Sequence, residues 1–292
     1  MQKSKYKVKY HVILNIYLRT GAELSGCDFS EAWSSLKGLS PRKCTGGFWQ
    51  KDTVPVKVPR FVAGDSIPYR DLMKIDKNPI FGGCTYTKGN VSRDSTRDCD
   101  FYYVHSGSYP WMSADTLPQL MMSVSNEWFK DYGHDKYIAV AKRHFEIADR
   151  YEAPYGLIDV SDPNDGYAGM VYGATFFGNS PLHRWIEQAK WVYSAQTKGD
   201  RVRNIYWGNY FGKSILECLG GRDDFLKRFR INAQSPDGTP NAHIWEFPNG
   251  VFVSLSLDPL DIKPGPPLHG PAVRNALWLV QDLGPRGILN AW

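Results

Sequence analysis

The chain has 292 residues, of which 42% are hydrophobic and 22% are charged, a composition that excludes disordered, collagen-like and membrane-embedded proteins. Its net charge of +5 comes from 35 basic and 30 acidic side chains, with no polybasic tail and no nucleic-acid-reading motif, so a nucleic-acid partner is not expected. No run of residues approaches the roughly 18 apolar positions that a membrane-spanning helix requires, so no membrane association is expected either.

The first predicted element is a β-strand that ends near Leu18. Apolar side chains fall on the even positions from Tyr6 to Leu18, while lysines, Asn15 and Tyr17 fall on odd positions. Alternation of this kind is typical of a half-buried strand, with the polar set facing water.

A lipobox-like segment, Leu24-Ser25-Gly26-Cys27, follows this strand. A signal peptide requires an unbroken apolar stretch before such a site, and Arg19 and Glu23 interrupt it here. We therefore expect a cytoplasmic protein, with a periplasmic lipoprotein anchored through Cys27 as the alternative.

The cysteines favour a reducing compartment. They number five, an odd count, and form no Cys-x-x-Cys pair or other spacing typical of a metal site. Cys84 and Cys99 remain candidates for a disulfide if the chain is exported.

Residues 28–100 are less regular. Residues 28–37 predict a short helix that Asp28 caps. Residues 38–100 are rich in Gly, Pro and Lys, and their short apolar stretches predict strands joined by long loops. These stretches are Val54–Val58, Ile80–Phe81 and Cys84–Tyr86.

The pattern becomes clearer after residue 100. Residues 101–107 and 119–125 predict strands. Residues 134–150 predict an amphipathic helix, with Phe145 on its apolar stripe and Lys142, Arg143 and Asp149 outside it. Residues 155–160, 167–176 and 201–207 predict further strands, and a helix from Leu182 to Tyr193 precedes the last of these.

The C-terminal third predicts three helices and a hairpin. Gly220-Gly221 ends the first helix, at a point where positive φ is needed, and Asp223 begins the second. Pro248-Asn249-Gly250 between apolar runs predicts the hairpin. The last helix begins near Pro271 and ends at Gly284-Pro285, and its predicted buried stripe consists of Val273, Leu277, Val280 and Leu283.

The order of these elements predicts an α+β fold. Hairpins and single helices should pack as a mostly antiparallel sheet, or as two similar sub-sheets, with helices on one face. No linker divides the chain, so we expect a single domain over residues 1–292. Within it, residues 1–100 contain a strand, a short helix and long loops.

We find no pattern typical of a catalytic or metal site. The seven histidines show no helical i, i+4 pair for zinc, and no Gly-x-Ser-x-Gly elbow is present. The glycines from Gly166 to Gly173 lie within a predicted strand rather than at a helix N-terminus, where a phosphate would bind. Asp162 to Gly166 lacks the closing Glu of a calcium loop and predicts a tight turn. We expect neither cofactor nor metal.

Short aromatic and glycine motifs recur in a defined order and spacing from Asp100 onward. These motifs are Phe101–Tyr103, Ser123–Trp128, Gly166–Gly169, Arg203–Asn209, Leu219–Gly221 and Pro264–Leu268. In their order and spacing, residues 101–292 resemble the type VI secretion immunity protein family, formerly a domain of unknown function.

The resemblance implies a non-enzymatic protein that binds one cognate effector toxin and neutralises it. Such inhibition needs a complementary surface with a few aromatic or arginine anchors. The candidate contact residues are Tyr109 and Trp111 in a predicted loop, Asp162 and Asp165 in a predicted turn, and Arg184 in a predicted helix. The alternatives are an enzyme with an unrecognised active site and a general protein-interaction module. The sequence does not determine the oligomeric state.

Overall fold

The computed structural model describes residues 11–19, 22, 43–49, 56–57, 81–87, 99–104, 117–125, 134–161, 201–202, 204–259 and 270–289. Its strands are β1 (His11–Tyr17), β2 (Lys43–Trp49), β3 (Val56–Lys57), β4 (Phe81–Thr87), β5 (Cys99–Val104), β6 (Gln119–Ser125), β7 (Tyr155–Ser161), β8 (Gly208–Gly212), β9 (Ile244–Glu246) and β10 (Gly250–Ser254). Its helices are α1 (His134–Arg150), α2 (Lys213–Cys218), α3 (Arg222–Asn232) and α4 (Pro271–Leu283).

The described strands form one open sheet in the order β3-β2-β4-β5-β6-β1-β7-β8-β10-β9. Neighbouring strands run antiparallel along the whole sheet. The predicted α+β fold with an antiparallel sheet is therefore confirmed. The described strands are continuous rather than divided into two sub-sheets.

Strand β1 lies in the middle of the sheet, between β6 and β7. The predicted strand is confirmed, but the prediction that its odd positions face water is wrong for Asn15 and Tyr17, which are both buried. Nδ2 of Asn15 donates to Oε1 of Gln119 at 3.2 Å, and the ring of Tyr17 stacks on Tyr155 with centroids 5.3 Å apart. A central strand covered on both faces does not show the exposure pattern of a half-buried one.

Described helices cover both faces of the sheet. The ring of Phe145 in α1 packs on Tyr210 of β8, with centroids 5.6 Å apart. The next strand residue, Phe211, points to the opposite face and meets Phe225 of α3 edge-on at 5.5 Å. Helix α1 lies so close to β7 that a Cβ at Gly156 would be 2.9 Å from Phe145.

The hairpin, α1 and the C-terminal helices form where the sequence predicts them. Gly220 and Gly221 have φ of 93° and 96°, as the predicted helix end requires. The predicted strand over 201–207 is wrong, because among the described residues of this range Val202 alone forms a bridge, an isolated one, and the strand lies at β8. Side-chain amides explain the shift: Oδ1 of Asn209 accepts the N–H of Tyr206 at 3.1 Å, a backbone group that a strand would pair.

The β4–β5 register places the two candidate disulfide residues on neighbouring strands. Cys84 lies opposite Phe101 and Cys99 lies opposite Tyr86, so the two cysteines occupy diagonal register positions. The disulfide itself stays a prediction.

Several predictions lie outside the described residues. They are the lipobox at Leu24–Cys27, the helix over 28–37, the strand over 167–176 and the helix from Leu182 to Tyr193. Among the described residues, no helix combines the length and apolar character needed to cross a membrane.

Candidate interaction surface

The five residues predicted to contact a partner, Tyr109, Trp111, Asp162, Asp165 and Arg184, all lie outside the described residues. Their role therefore stays a prediction. In the part of the chain that the structure describes, no group of three or more His, Cys, Asp and Glu side chains is arranged to hold a metal ion.

A buried carboxylate connects α1 to the sheet. Asp149, predicted to lie outside the apolar stripe of α1, is only 6% exposed. Its Oδ1 accepts the hydroxyl of Tyr210 at 3.1 Å and the backbone N–H of Asn249 at 2.7 Å. Burial raises the pKa of Tyr210 above its usual range, and the nearby Asp149 carboxylate raises it further. Tyr210 thus stays protonated and acts as a hydrogen-bond donor.

Close backbone packing supports this contact at the β9–β10 hairpin. A Cβ at Gly250 would lie 2.2 Å from the hydroxyl oxygen of Tyr210, so only glycine fits there. The guanidinium of Arg222 donates to the carbonyl oxygens of Phe247 and, at 3.3 Å, of Gly250. The hairpin is thereby fixed to α1, β8 and α3, and this polar cluster has the character of a structural network.

A second polar cluster fixes the inner side of α4. Nδ2 of Asn275 donates to Oδ1 of Asn241 and to the carbonyl oxygen of Leu255, both at 2.9 Å. Oδ1 of Asn275 accepts Nδ2 of Asn232 in α3 at 2.8 Å. Since Asn275 is fully buried, these bonds orient α4 toward the hairpin and α3.

Contacts with α3 determine the rotation of α4 further. Asp282 forms an ion pair with Arg228, and the ring of Trp278 packs on Phe229 with centroids 5.6 Å apart. Buried on the inner side are Asn275, Ala276, Leu279 and Leu283.

This rotation contradicts the predicted buried stripe of α4. Of its four residues only Leu283 is buried: Leu277 is 51% exposed, Val280 is 37% exposed and Val273 is half-buried. The sequence contains two apolar stripes on this helix, and contacts with other elements, which the helical pattern does not show, decide which of them is buried.

We call Val273, Leu277, Val280 and Arg274 the outer α4 face. The side chain of Arg274 is exposed, and its Nη2 donates to the carbonyl oxygen of Gln234 at 2.5 Å. None of the described carboxylates forms an ion pair with Arg274. The outer α4 face therefore presents apolar side chains beside a cation whose charge is not neutralised by described residues.

Two further large apolar side chains are exposed among the described residues. Ile231 in α3 is 70% exposed, and Leu257, which follows β10, is 44% exposed. Single exposed apolar side chains are common on protein surfaces. The outer α4 face differs, because its apolar residues recur at helical spacing.

No family model matches the chain, and no curated protein matches it. A solved structure, the Pseudomonas aeruginosa T6SS protein PA0821, is similar to 96% of this chain, which covers 73% of that protein. The TM-score is 0.61 and the sequence identity is 16%. At this identity the likeness shows a common fold and no more.

Proposed function

We propose that this protein is an immunity protein that binds a cognate antibacterial effector of a type VI secretion system and neutralises it. The observation that carries the proposal is the fold held in common with a T6SS protein over 96% of the chain. The order of motifs from Phe101 to Leu268, which resembles the immunity family, supports it independently.

Neutralisation by binding requires a surface that is complementary to the toxin. Binding energy in such complexes is concentrated in a few anchors that lose water on contact, often aromatic or arginine side chains. The outer α4 face offers one such residue, Arg274, beside the exposed apolar side chains of Leu277 and Val280. The inhibitor then blocks the active site of the toxin or access of its substrate.

Co-expression with the toxin tests the proposal. The toxin domain encoded beside this gene should arrest growth when expressed alone, and co-expression of this protein should restore growth. The two proteins should also co-purify, whereas an effector from an unrelated gene pair should do neither. Failure of both rescue and co-purification with the adjacent toxin would overturn the proposal.

The proposal also holds that the protein is not an enzyme, and stoichiometry tests this point. Titration of purified toxin should give complete inhibition at about one equivalent of this protein, with no further loss of activity over time. Complete inhibition at a small fraction of an equivalent would instead indicate turnover and favour the enzyme alternative.

We place the protein in the cytoplasm, and substitution of Cys27 tests the lipoprotein alternative. A Cys27→Ser variant should fractionate with the cytoplasm, as the unmodified protein does, and should protect equally well. Membrane fractionation that depends on Cys27 would instead indicate lipidation and a periplasmic site of action.

A further inference from the structure

We infer that the outer α4 face binds an apolar groove of the cognate effector, with an effector carboxylate placed against Arg274. This inference rests on the proposed function and adds the surface and the chemistry of the contact. It is independent of the predicted contact residues, which lie outside the described part of the chain.

Apolar side chains lie on both the inner and the outer side of α4. Ala276, Leu279 and Leu283 already bury the inner side against the rest of the protein. A helix with one buried side normally has a polar outer side, yet α4 repeats apolar residues there at Val273, Leu277 and Val280. The i, i+4, i+7 spacing is the one by which amphipathic helices insert anchors into an apolar groove.

The charge of the outer α4 face specifies the partner further. Arg274 lies one turn before Leu277, and the carbonyl oxygen of Gln234 satisfies one of its donors without neutralising its charge. An arginine beside apolar anchors binds most strongly to a carboxylate, since its planar guanidinium donates two parallel hydrogen bonds. The groove that fits this face is therefore apolar with an acidic residue at one side.

The same charges argue against a second copy of the chain as the occupant. The carboxylate that α4 contains, Asp282, is 13% exposed and forms an ion pair with Arg228. A two-fold contact of the outer α4 face with itself would bring Arg274 toward another Arg274 and would supply no anion from α4. A partner that has its own carboxylate can supply the anion for Arg274.

Binding measurements with single variants test the inference, and the probe is the purified toxin domain encoded by the adjacent gene. Leu277→Asp should weaken binding by at least about 30-fold, because it places a carboxylate in the apolar contact. Leu277→Gln, a milder change, should weaken it by at least about tenfold. Arg274→Gln should slow association and reduce the dependence of binding on salt.

Ile231→Asp is the matched control. It introduces the same charge at a more exposed apolar residue outside the outer α4 face, so binding should stay within about threefold of the unmodified protein. We also measure the thermal unfolding temperature of each variant. The molecular mass of the free protein in solution shows whether it forms a dimer.

The outcomes separate the inference from the function. If the unmodified protein neither binds nor protects, the proposed function fails, and the inference fails with it. If the unmodified protein binds and Leu277→Asp binds equally well, only the inference is overturned. It is also overturned if Leu277→Asp lowers the unfolding temperature far more than Ile231→Asp, or if it abolishes a dimer of the free protein. In those cases the chain itself or a second copy covers this face.

Discussion

His144 is a fully buried histidine on α1, and no described residue forms a hydrogen bond with either of its ring nitrogens. Its ring meets Phe145 edge-on, with centroids 5.8 Å apart. Burial lowers the pKa of His144 from 6.5 to about 3. The folded protein therefore holds this imidazole neutral over most of the acidic range.

This pKa predicts a loss of stability in acid. Between pH 6.5 and about 3 the unfolded chain takes up a proton at His144 and the folded chain does not. The free energy of unfolding should then fall by up to about 1.4 kcal/mol for each pH unit below 6.5. Above that pH, His144 should contribute no pH dependence. Urea unfolding at neutral pH and near pH 4.5 measures the effect.

A His144→Leu variant isolates this residue from the carboxylates, which titrate in both proteins. Its stability should fall less steeply than that of the unmodified protein over this range, by about 2–3 kcal/mol in total near pH 4.5. Parallel pH profiles for the two proteins would show that His144 is not held neutral in the folded state.

Tyr210 and Asp149 give a second prediction for individual residues. Tyr210→Phe removes the donor to a buried carboxylate and should lower the free energy of unfolding by about 1.5–3 kcal/mol. A double-mutant cycle with Asp149→Ala, which removes the acceptor, should give a coupling energy of at least about 0.5 kcal/mol by urea unfolding. Additive effects would show that the two side chains do not interact.

Individual polar residues also show a limit of sequence-based prediction. Asn15 and Asp149 were expected outside the core, yet both are buried, because each finds a partner far along the chain. Asn15 bonds to a residue 104 positions away, and Asp149 to one 100 positions away. Local periodicity cannot identify such partners, whereas it correctly placed Phe145 in the core.

Among the elements, the sequence pattern of α4 determines where the helix begins and ends but not its rotation. Pro271 and Gly284 mark its two ends, as predicted from the sequence. Its rotation depends instead on Asn275, Trp278 and Asp282, which contact other elements. The candidate surface could not be predicted, because the pattern alone does not say which of two apolar stripes is covered.

Substitutions on the two sides of α4 test this rotation. Asn275→Ala should lower the free energy of unfolding by about 2–4 kcal/mol, because it removes the partner of buried polar groups of Asn241 and Leu255 and of the half-buried Asn232 amide. Leu277→Gln is the matched control, and its effect should stay within about 0.5 kcal/mol. Equal destabilisation by both, in urea unfolding, would contradict the described orientation.

Local sequence signals likewise predict some of the strands and fail for one. The strand over 119–125 and the hairpin at Pro248–Gly250 form as predicted, because alternation and turn residues are local signals. The strand predicted over 201–207 failed, since the side-chain amide of Asn209 bonds to the backbone of Tyr206. Competition of this kind depends on the conformation of each amide side chain, which the residue type does not reveal.

For the whole molecule, the fold class followed from the order of the elements, but the order of strands in the sheet did not. The first described strand, β1, lies between β6 and β7 in the middle of the sheet. Strands β3 and β9 form its two edges. Pairing over such distances depends on which strands bury each other best, and loop composition does not encode it. The single domain over residues 1–292, expected from the absence of a linker, stays a prediction.

The central position of β1 in the sheet predicts the effect of truncation. A fragment of residues 101–292 contains the best-matching motifs, but it lacks β1, whose Val12, Leu14 and Ile16 are fully buried. Without β1, strands β6 and β7 lose their common neighbour, and their inner backbone groups lose their partners. The fragment should show no cooperative unfolding by circular dichroism, whereas the full chain should unfold in one transition. A fragment that folds cooperatively alone would instead divide the chain into two domains near residue 100.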